Sequence, residues 1–456
     1  MDQENHDPRG PAELYLHGRV RDFRMEHGAR RQLRRAGESH DAAALHGRAR
    51  ARRRRGDRRM GRVGIREGFP PLQQDGSGAF CGDRILLRSA HDQRSGGLPI
   101  PPSASELAGE AMTGQPLTPF LPTRINTGPW LVGYSHHELK RRVGRDRMVL
   151  PICSLGTPPE QLADLAPLVL PPLYHEALDA DLKAEVIEKV RRCFPFFEGT
   201  RDRANFAGNF EIVELPARRP PPPVRRPKVF AFSVDTAVEE HGPHLPLATD
   251  TIQSYGVLHR LASEFDGFVV GPPVDYGHLT WGLPFGLSID LTPPLVARYV
   301  TGFVNAVVEW MAPEFLYVVD VHGSPVHRGA IEEGLRRSRC PRWAFRWLYE
   351  PLGAFTAERG DQHAGGVETA LVEHISRDLV DPQWWPGRID DLAAGQMEMA
   401  RAAELSRDLS RFIAEVESQP LNGIVGNIRN YSAVDAGDLM NRMVHLARED
   451  VQALIR

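Results

Sequence analysis

Apolar residues are arranged differently in the two halves of the chain. From about residue 229 onward, short apolar runs alternate with longer segments whose apolar positions recur at helical spacing: "VFAFSVD", "TIQSYGVLHRLASEF", "GFVVGPPV", "PPLVARYVTGFVNAVVEWM" and "FLYVVDVHG". A strand that is apolar at every position is covered on both faces. Such strands separated by amphipathic helices predict a layered, mostly parallel α/β sheet flanked by helices. Two further helices are expected at about 366–379 and 393–417, the first opening after Gly365 and Gly366. Upstream, "RMVLPICSL" predicts a strand and "DADLKAEVIEKVRRCFPFF" an amphipathic helix entered at an acidic cap, so residues 112–215 read as a small folded extension. Between the two parts lies "PARRPPPPVRRPK", residues 216–228, whose consecutive prolines forbid helix and ladder hydrogen bonds; it reads as a linker.

Residues 1–111 show no sustained apolar periodicity. They include the run Arg52 to Arg55, and the first lysine of the chain is Lys140. A basic arm for nucleic acid mixes lysine with arginine and interleaves aromatics for stacking. The all-arginine bias therefore argues against that use and for a disordered leader, with Met112 as an alternative native start. The net charge of −3 over 456 residues gives no general attraction to nucleic acid or membrane. No apolar run approaches the ~20 residues that span a bilayer, and the N-terminus lacks a secretory pattern, which leaves a cytoplasmic location as the expectation. The four cysteines, Cys81, Cys153, Cys193 and Cys340, have no CxxC spacing, so neither a disulfide framework nor a thiolate metal site is expected.

Chemistry gathers where the predicted strands end, which is where open α/β sheets bind ligands. After "VFAFSVD" comes "VEEHGPHLPLATD", with Glu239 and His241 two apart and Asp250 just before a helix; Pro243 and Pro246 stiffen the loop. Asp250 alone is equally explained as a helix N-cap, and the histidines as ordinary loop residues. The strand "FLYVV" then delivers Asp320 and His322, and "DQHAGGVET" adds Asp361, His363 and Glu368. Three acid and histidine clusters at one sheet edge point to a metal site. Imidazole and carboxylate without cysteine suit zinc or manganese, with iron as a third candidate.

At these residues the chain resembles the creatininase (creatinine amidohydrolase) family. "EEHGPHLPLATD" resembles the family's E-Q-H-G-P-H-L-P-x-x-T-D, with Glu240 in place of glutamine; "DQHAGGVET" is similar to D-x-H-A-G-x-x-E-T; and "GPPVDYG", "DVHGSP" and "GIVGN" fall at the places of three further motifs. The resemblance spans about 226–456 and implies two divalent metal ions. It implies that Glu239 and His322 bind one ion, His241 the other, that Asp250 bridges both, and that His363 shuttles protons. Where creatininases proper place a second-metal glutamate, this chain has Ser324, and the resemblance then implies Glu368 instead. Asp320, Val321 and Pro325 also depart from the motif, and "HLTWGLPFGLS" departs after Tyr276, so creatinine is not the expected substrate. Tyr276, Trp281 and Ser324 are the candidate substrate contacts.

The expected activity is hydrolysis of a small-molecule amide by metal-activated water, at a non-peptide or terminal C–N bond: a cyclic amide, a formamide or a peptide-derived amide. The alternative is a metal-binding, catalytically weakened relative with an assembly or sensing role. The family also implies a homo-oligomer, a hexamer.

Overall fold

The computed structural model describes residues 129–193, 209–219, 221–223, 225–279 and 281–456. The expected leader at 1–111 and the alternative start Met112 lie outside these residues.

Within the described residues the N-terminal helices and strands are α1 (His136–Arg142), β1 (Met148–Cys153), α2 (Pro159–Ala163), β2 (Leu168–Val169), β3 (Leu173–Tyr174), α3 (Ala180–Cys193) and β4 (Phe210–Glu214). β1 pairs in parallel with β4 along most of its length, and with β2 and β3 at its first and last residues. The acidic cap of α3 is Asp179, whose carboxylate accepts the Leu182 amide at 2.7 Å.

The C-terminal part contains β5 (Val229–Ser233), α4 (Thr249–Ala262), β6 (Phe268–Val270), α5 (Pro293–Met311), β7 (Phe315–Asp320), α6 (Pro325–Arg337) and β8 (Trp343–Trp347). Its sheet has the order β6-β5-β7-β8, parallel throughout. Successive side chains of a strand point to opposite faces, and the burial follows that alternation. Ala231, Tyr317 and Val319 pack with Tyr255 and Leu258 of α4, whereas Phe230, Phe232, Leu316 and Val318 pack with Phe303 and Val307 of α5. The sheet is therefore covered on both sides, as its apolar runs require. The remaining helices are α7 (Glu350–Arg359), α8 (Gly366–Ile375), α9 (Ile389–Ala394), α10 (Met399–Leu405), α11 (Leu409–Ser418) and α12 (Ala436–Ile455).

The helix expected over 393–417 is in fact three. Gly395 ends α9, Met397 and Gly426 pair backbone with backbone at 2.9 Å, and Asp408 caps α11 through the Arg411 amide at 3.2 Å. The helix expected over 366–379 stops at Ile375 and is followed by a 3-10 turn, Arg377–Leu379.

The N-terminal part joins the α5 side of the sheet. Phe303 of α5 packs at a tilt against Phe232, with ring centroids 4.9 Å apart, and against Tyr174 of β3 at 5.7 Å, within one continuous apolar cluster that also takes in Leu131, Leu150 and Val186. In the order β6-β5-β7 the chain leaves β5 for β6 and returns on the other side as β7. The helices that follow β5 and β7 pack on opposite faces of the sheet, so their loops diverge at the strands' carboxyl ends, the point where open α/β sheets form a ligand crevice.

Candidate metal centre

Both loops at that crevice carry the expected side chains. Glu239, His241 and Asp250 are each at most 2% exposed. The helix α4 begins at Thr249 with Ala248 before it, so Asp250 sits inside the first turn and is not the N-cap. Its carboxylate turns to the crevice, with Oδ2 3.1 Å from His322 Nδ1 and Oδ1 3.5 Å from His241 Nε2. On the same side, Glu239 Oε2 lies 3.3 Å from His322 Nδ1. His322 directly follows β7, and the Trp347 indole N–H donates to its carbonyl at 2.8 Å, which fixes the backbone that presents the ring.

A second grouping shares His241. His241, His363 and Glu368 offer ligand atoms all within 4.8 Å of one another, as do Glu239, His241 and Asp250. His363 is held by reciprocal backbone bonds with Val425, both 2.9 Å, and Glu368 lies in the first turn of α8 with Oε2 3.8 Å from His241 Nε2. The imidazole tautomers follow from their outer partners. His241 Nδ1–H donates to the Glu239 carbonyl at 3.0 Å, so Nε2 is the nitrogen turned to the cluster. His363 Nε2–H donates to the Glu240 carbonyl at 2.6 Å, so Nδ1 faces inward, 3.9 Å from Glu239 Oε1.

The electrostatics show a site short of positive charge. Against the effect of burial, Asp250 and the neighbouring glutamates raise His241 to about 10, and Glu239 and Asp250 raise His322 to about 9. Burial lifts Glu368 to about 8, and it lifts Glu239 as well. Asp250 stays well below the usual carboxylate range despite its burial, because His241 and His322 flank it. Glu239 Oε1, His241 Nε2 and His322 Nε2 are buried and have no hydrogen-bond partner. Buried acceptors left in that state are costly unless something cationic satisfies them. The donor set, nitrogen and carboxylate oxygen without sulfur, fits one or two borderline divalent cations.

The other expected site residues are placed differently. Tyr276 is 1% exposed and donates its hydroxyl to the Pro171 carbonyl at 2.7 Å, which joins the two sheets. Ser324 caps α6 by accepting the His327 amide at 3.3 Å. Trp281 is half-buried beside Phe412 and Phe285, and its neighbour Gly282 abuts Glu239: a Cβ there would come within 2.8 Å of Glu239 Cγ. Asp361 caps the approach to α8 by accepting the Val367 amide at 3.1 Å.

Two residues at the cluster carried no prior expectation. Thr236 Oγ1 bonds both Asp250 Oδ2, at 2.8 Å, and Glu239 Oε2, and lies 3.4 Å from His322 Nδ1. Its only sequence signal is its position three residues before Glu239. The other is His136 of α1, whose Nδ1 is 3.4 Å from Glu240 Oε1. More than a hundred residues separate them in sequence, and no spacing rule reaches that far.

Residues 234–451 match the creatinine amidohydrolase (creatininase) family model. A mycofactocin precursor peptide peptidase of Mycobacterium ulcerans (strain Agy99) is 28% identical over 218 residues, covering 46% of this chain and 78% of the relative. Its counterpart in Mycolicibacterium smegmatis is 28% identical over 217 residues, with the same coverage of 46% and 78%. Among solved structures, a creatinine amidohydrolase (creatininase) aligns with 16% identity and a TM-score of 0.36, covering 50% of this chain and 91% of that one. A Zn-Zn type mutant creatininase aligns with 14% identity and a TM-score of 0.37, covering 50% and 91%. The motifs around Glu239, His322 and His363 fall inside residues 234–451, the stretch that is similar to the creatininase family.

Proposed function

We propose that this chain is a divalent-metal-dependent amidohydrolase acting on a non-peptide or terminal C–N amide bond. The observation that carries the reading is the convergence of Glu239, His241 and Asp250 in one group and of His241, His363 and Glu368 in a second, with Glu239 Oε1 and His241 Nε2 buried and without hydrogen-bond partners and His322 Nδ1 3.1 Å from Asp250. Glu239, Asp250 and His322 would hold one ion, and His241, Asp250 and Glu368 a second. When bound, such ions lower the pKa of water and polarise a carbonyl oxygen.

The chain's own residues supply the rest. His363 holds its Nε2–H on the Glu240 carbonyl, so Nδ1 is the ring nitrogen that would take up and pass on a proton; burial first, and then the neighbouring His241, keep the ring well below its ordinary value, which favours giving the proton back. With Nε2–H fixed on the Glu240 carbonyl, that proton can only be held and returned at Nδ1. Gly282 lies against Glu239, and Trp347, whose ring is 5.3 Å from that of Tyr349, lies against the His322 backbone. Of the amides compatible with such a centre, a peptide-derived one is favoured by the relatives named as precursor peptide peptidases.

The test is elemental analysis of the purified chain, followed by a screen of N-formyl, cyclic and C-terminal peptide amides with and without chelator. Chelator-sensitive turnover with zinc or manganese bound is expected. Bound metal with no turnover of any member would favour the alternative, a metal-binding relative with an assembly or sensing role. Absence of any bound metal would remove both readings.

A further inference from the structure

We infer that His136, supplied by the N-terminal part of the chain, is a positioning residue for the metal centre, acting on it through Glu240. The inference rests on the reading of that cluster as a metal centre.

Glu240 stands between the two metal-type side chains Glu239 and His241, and it is fully buried. Its amide, its carbonyl and one carboxylate oxygen are all engaged around the site. Its amide donates to Ser288 Oγ at 2.9 Å, and its carbonyl accepts the His363 ring at 2.6 Å. Oε1 accepts the Gly242 amide at 2.6 Å, and Oε2, which has no hydrogen-bond partner, lies 4.0 Å from His363 Nε2. Gly423 closes on the carboxylate: a Cβ at that position would come within 1.9 Å of Oε1, and the φ of +92 also favours glycine. A buried carboxylate is costly unless it is paired with a donor or a cation. The ionisable side chain set closest against it is His136, itself 5% exposed, with Nδ1 3.4 Å from Oε1.

His136 is not free to drift. The residues before it are strapped to the loop that leads from His241 to Asp250: Leu247 N–H donates to the Tyr134 carbonyl at 3.2 Å, and Ala248 N–H to the Val132 carbonyl at 3.0 Å. Ser135 Oγ donates to Asp381 Oδ2 at 2.9 Å and also accepts the Glu138 amide, which starts α1. The N-terminal part thus delivers the His136 ring to the back of the ligand loop, where it adds a side-chain partner to a carboxylate otherwise held only by the Gly242 amide and the more distant His363 ring. Loss of His136 leaves the Glu240 side chain to move. Because Glu240 lies within one residue of two ligands and carries the His363 ring, the site loosens with it.

The experiment is Zn²⁺ titration by calorimetry on the full-length chain, comparing wild type, His136→Ala, Glu240→Gln and the double variant. His136→Ala is expected to weaken zinc about tenfold, the low end of the effect of partners that orient metal ligands. In the Glu240→Gln background there is no carboxylate left to hold, so removing His136 is expected to change nothing further. The proposal is overturned if His136→Ala binds zinc as wild type does, or if His136→Ala costs the same factor in both backgrounds. Should His136→Ala not fold by circular dichroism, the comparison of Glu240→Gln with the double variant decides alone: equal affinities support the inference and a further loss overturns it. Wild type that binds neither Zn²⁺ nor Mn²⁺ would instead refute the metal reading beneath it.

Discussion

At the scale of single residues, Thr236, Glu368 and His244 each make a separable claim. The Thr236 hydroxyl ties Asp250 to Glu239, so Thr236→Val, which keeps the shape and removes the hydroxyl, should lower metal affinity by about tenfold while the fold survives. Calorimetric titration that shows unchanged affinity would make the hydroxyl a bystander. Glu368→Gln replaces a carboxylate with a poorer amide ligand and should reduce metals per chain without abolishing binding at Glu239, Asp250 and His322. Elemental analysis checks it, and wild-type content in the variant would return Glu368 to the role of an acidic residue in the first turn of α8. His244 is fully buried with Nε2 2.8 Å from Thr369 Oγ1; burial, and then His241, lowers it from 6.5 to about 3. The folded state keeps this ring neutral, whereas the unfolded chain protonates it below its ordinary value. The stability it contributes is therefore fully present above pH 6.5 and is lost as the pH falls toward 3. The slope reaches about 1.4 kcal/mol per pH unit at most. Denaturant titrations at a series of pH values should show a shallower acid slope for His244→Gln, and parallel curves would sink the assignment.

At the scale of elements, the loop after β6 is tied to the N-terminal sheet by one buried hydrogen bond, Tyr276 to Pro171, beside the tilted rings of Tyr174, Phe303 and Phe232. Tyr276→Phe removes the donor and strands a buried carbonyl, which should cost about 1–3 kcal/mol. Urea unfolding measures the loss, and metal content should not change. A variant of wild-type stability with impaired substrate binding would restore Tyr276 as a substrate contact. The same reasoning explains why β8 is hard to read from sequence. Trp343–Trp347 is an edge strand, half-exposed along its length, and Arg346 breaks the apolar run in order to pair with Asp450 of α12 at 2.5 Å. Its remaining residues still pack on both faces, Trp343 and Phe345 on one and Ala344 on the other, but with Arg346 inside it the short run lacks the apolar continuity that marks β5 and β7.

At the scale of the whole molecule, the two sheets share one apolar cluster, and β1, β5 and α5 all contribute to it. A chain beginning at residue 112 should fold and bind metal, because all the described elements lie beyond that point. A chain beginning at residue 226 should not, because Phe303, Phe232 and the back of the ligand loop would lose their cover. Circular dichroism and zinc titration of the two truncations check this. A stable, zinc-binding product from 226 onward would show that the N-terminal sheet is an accessory. No helix among the described residues is long and apolar enough to cross a membrane.

Local pattern was enough to determine the strands β5, β6 and β7, the helices α4 and α5, and the loops that carry Glu239, His241, Asp250, His322, His363 and Glu368. Each depends on neighbours within a few residues: apolar continuity for a strand covered on both faces, and turn chemistry at its end. The tertiary structure decided what each side chain does there. Asp250 could equally have been a cap until α4 was seen to start at Thr249 and His322 to come within 3.1 Å of its carboxylate. Tyr276 became a strut, because the partner of its hydroxyl is 105 residues away in sequence. His136 and Glu240 met only when the N-terminal strap closed on the ligand loop. Contacts of that range leave no periodicity or spacing in the chain, since they depend on how whole elements pack.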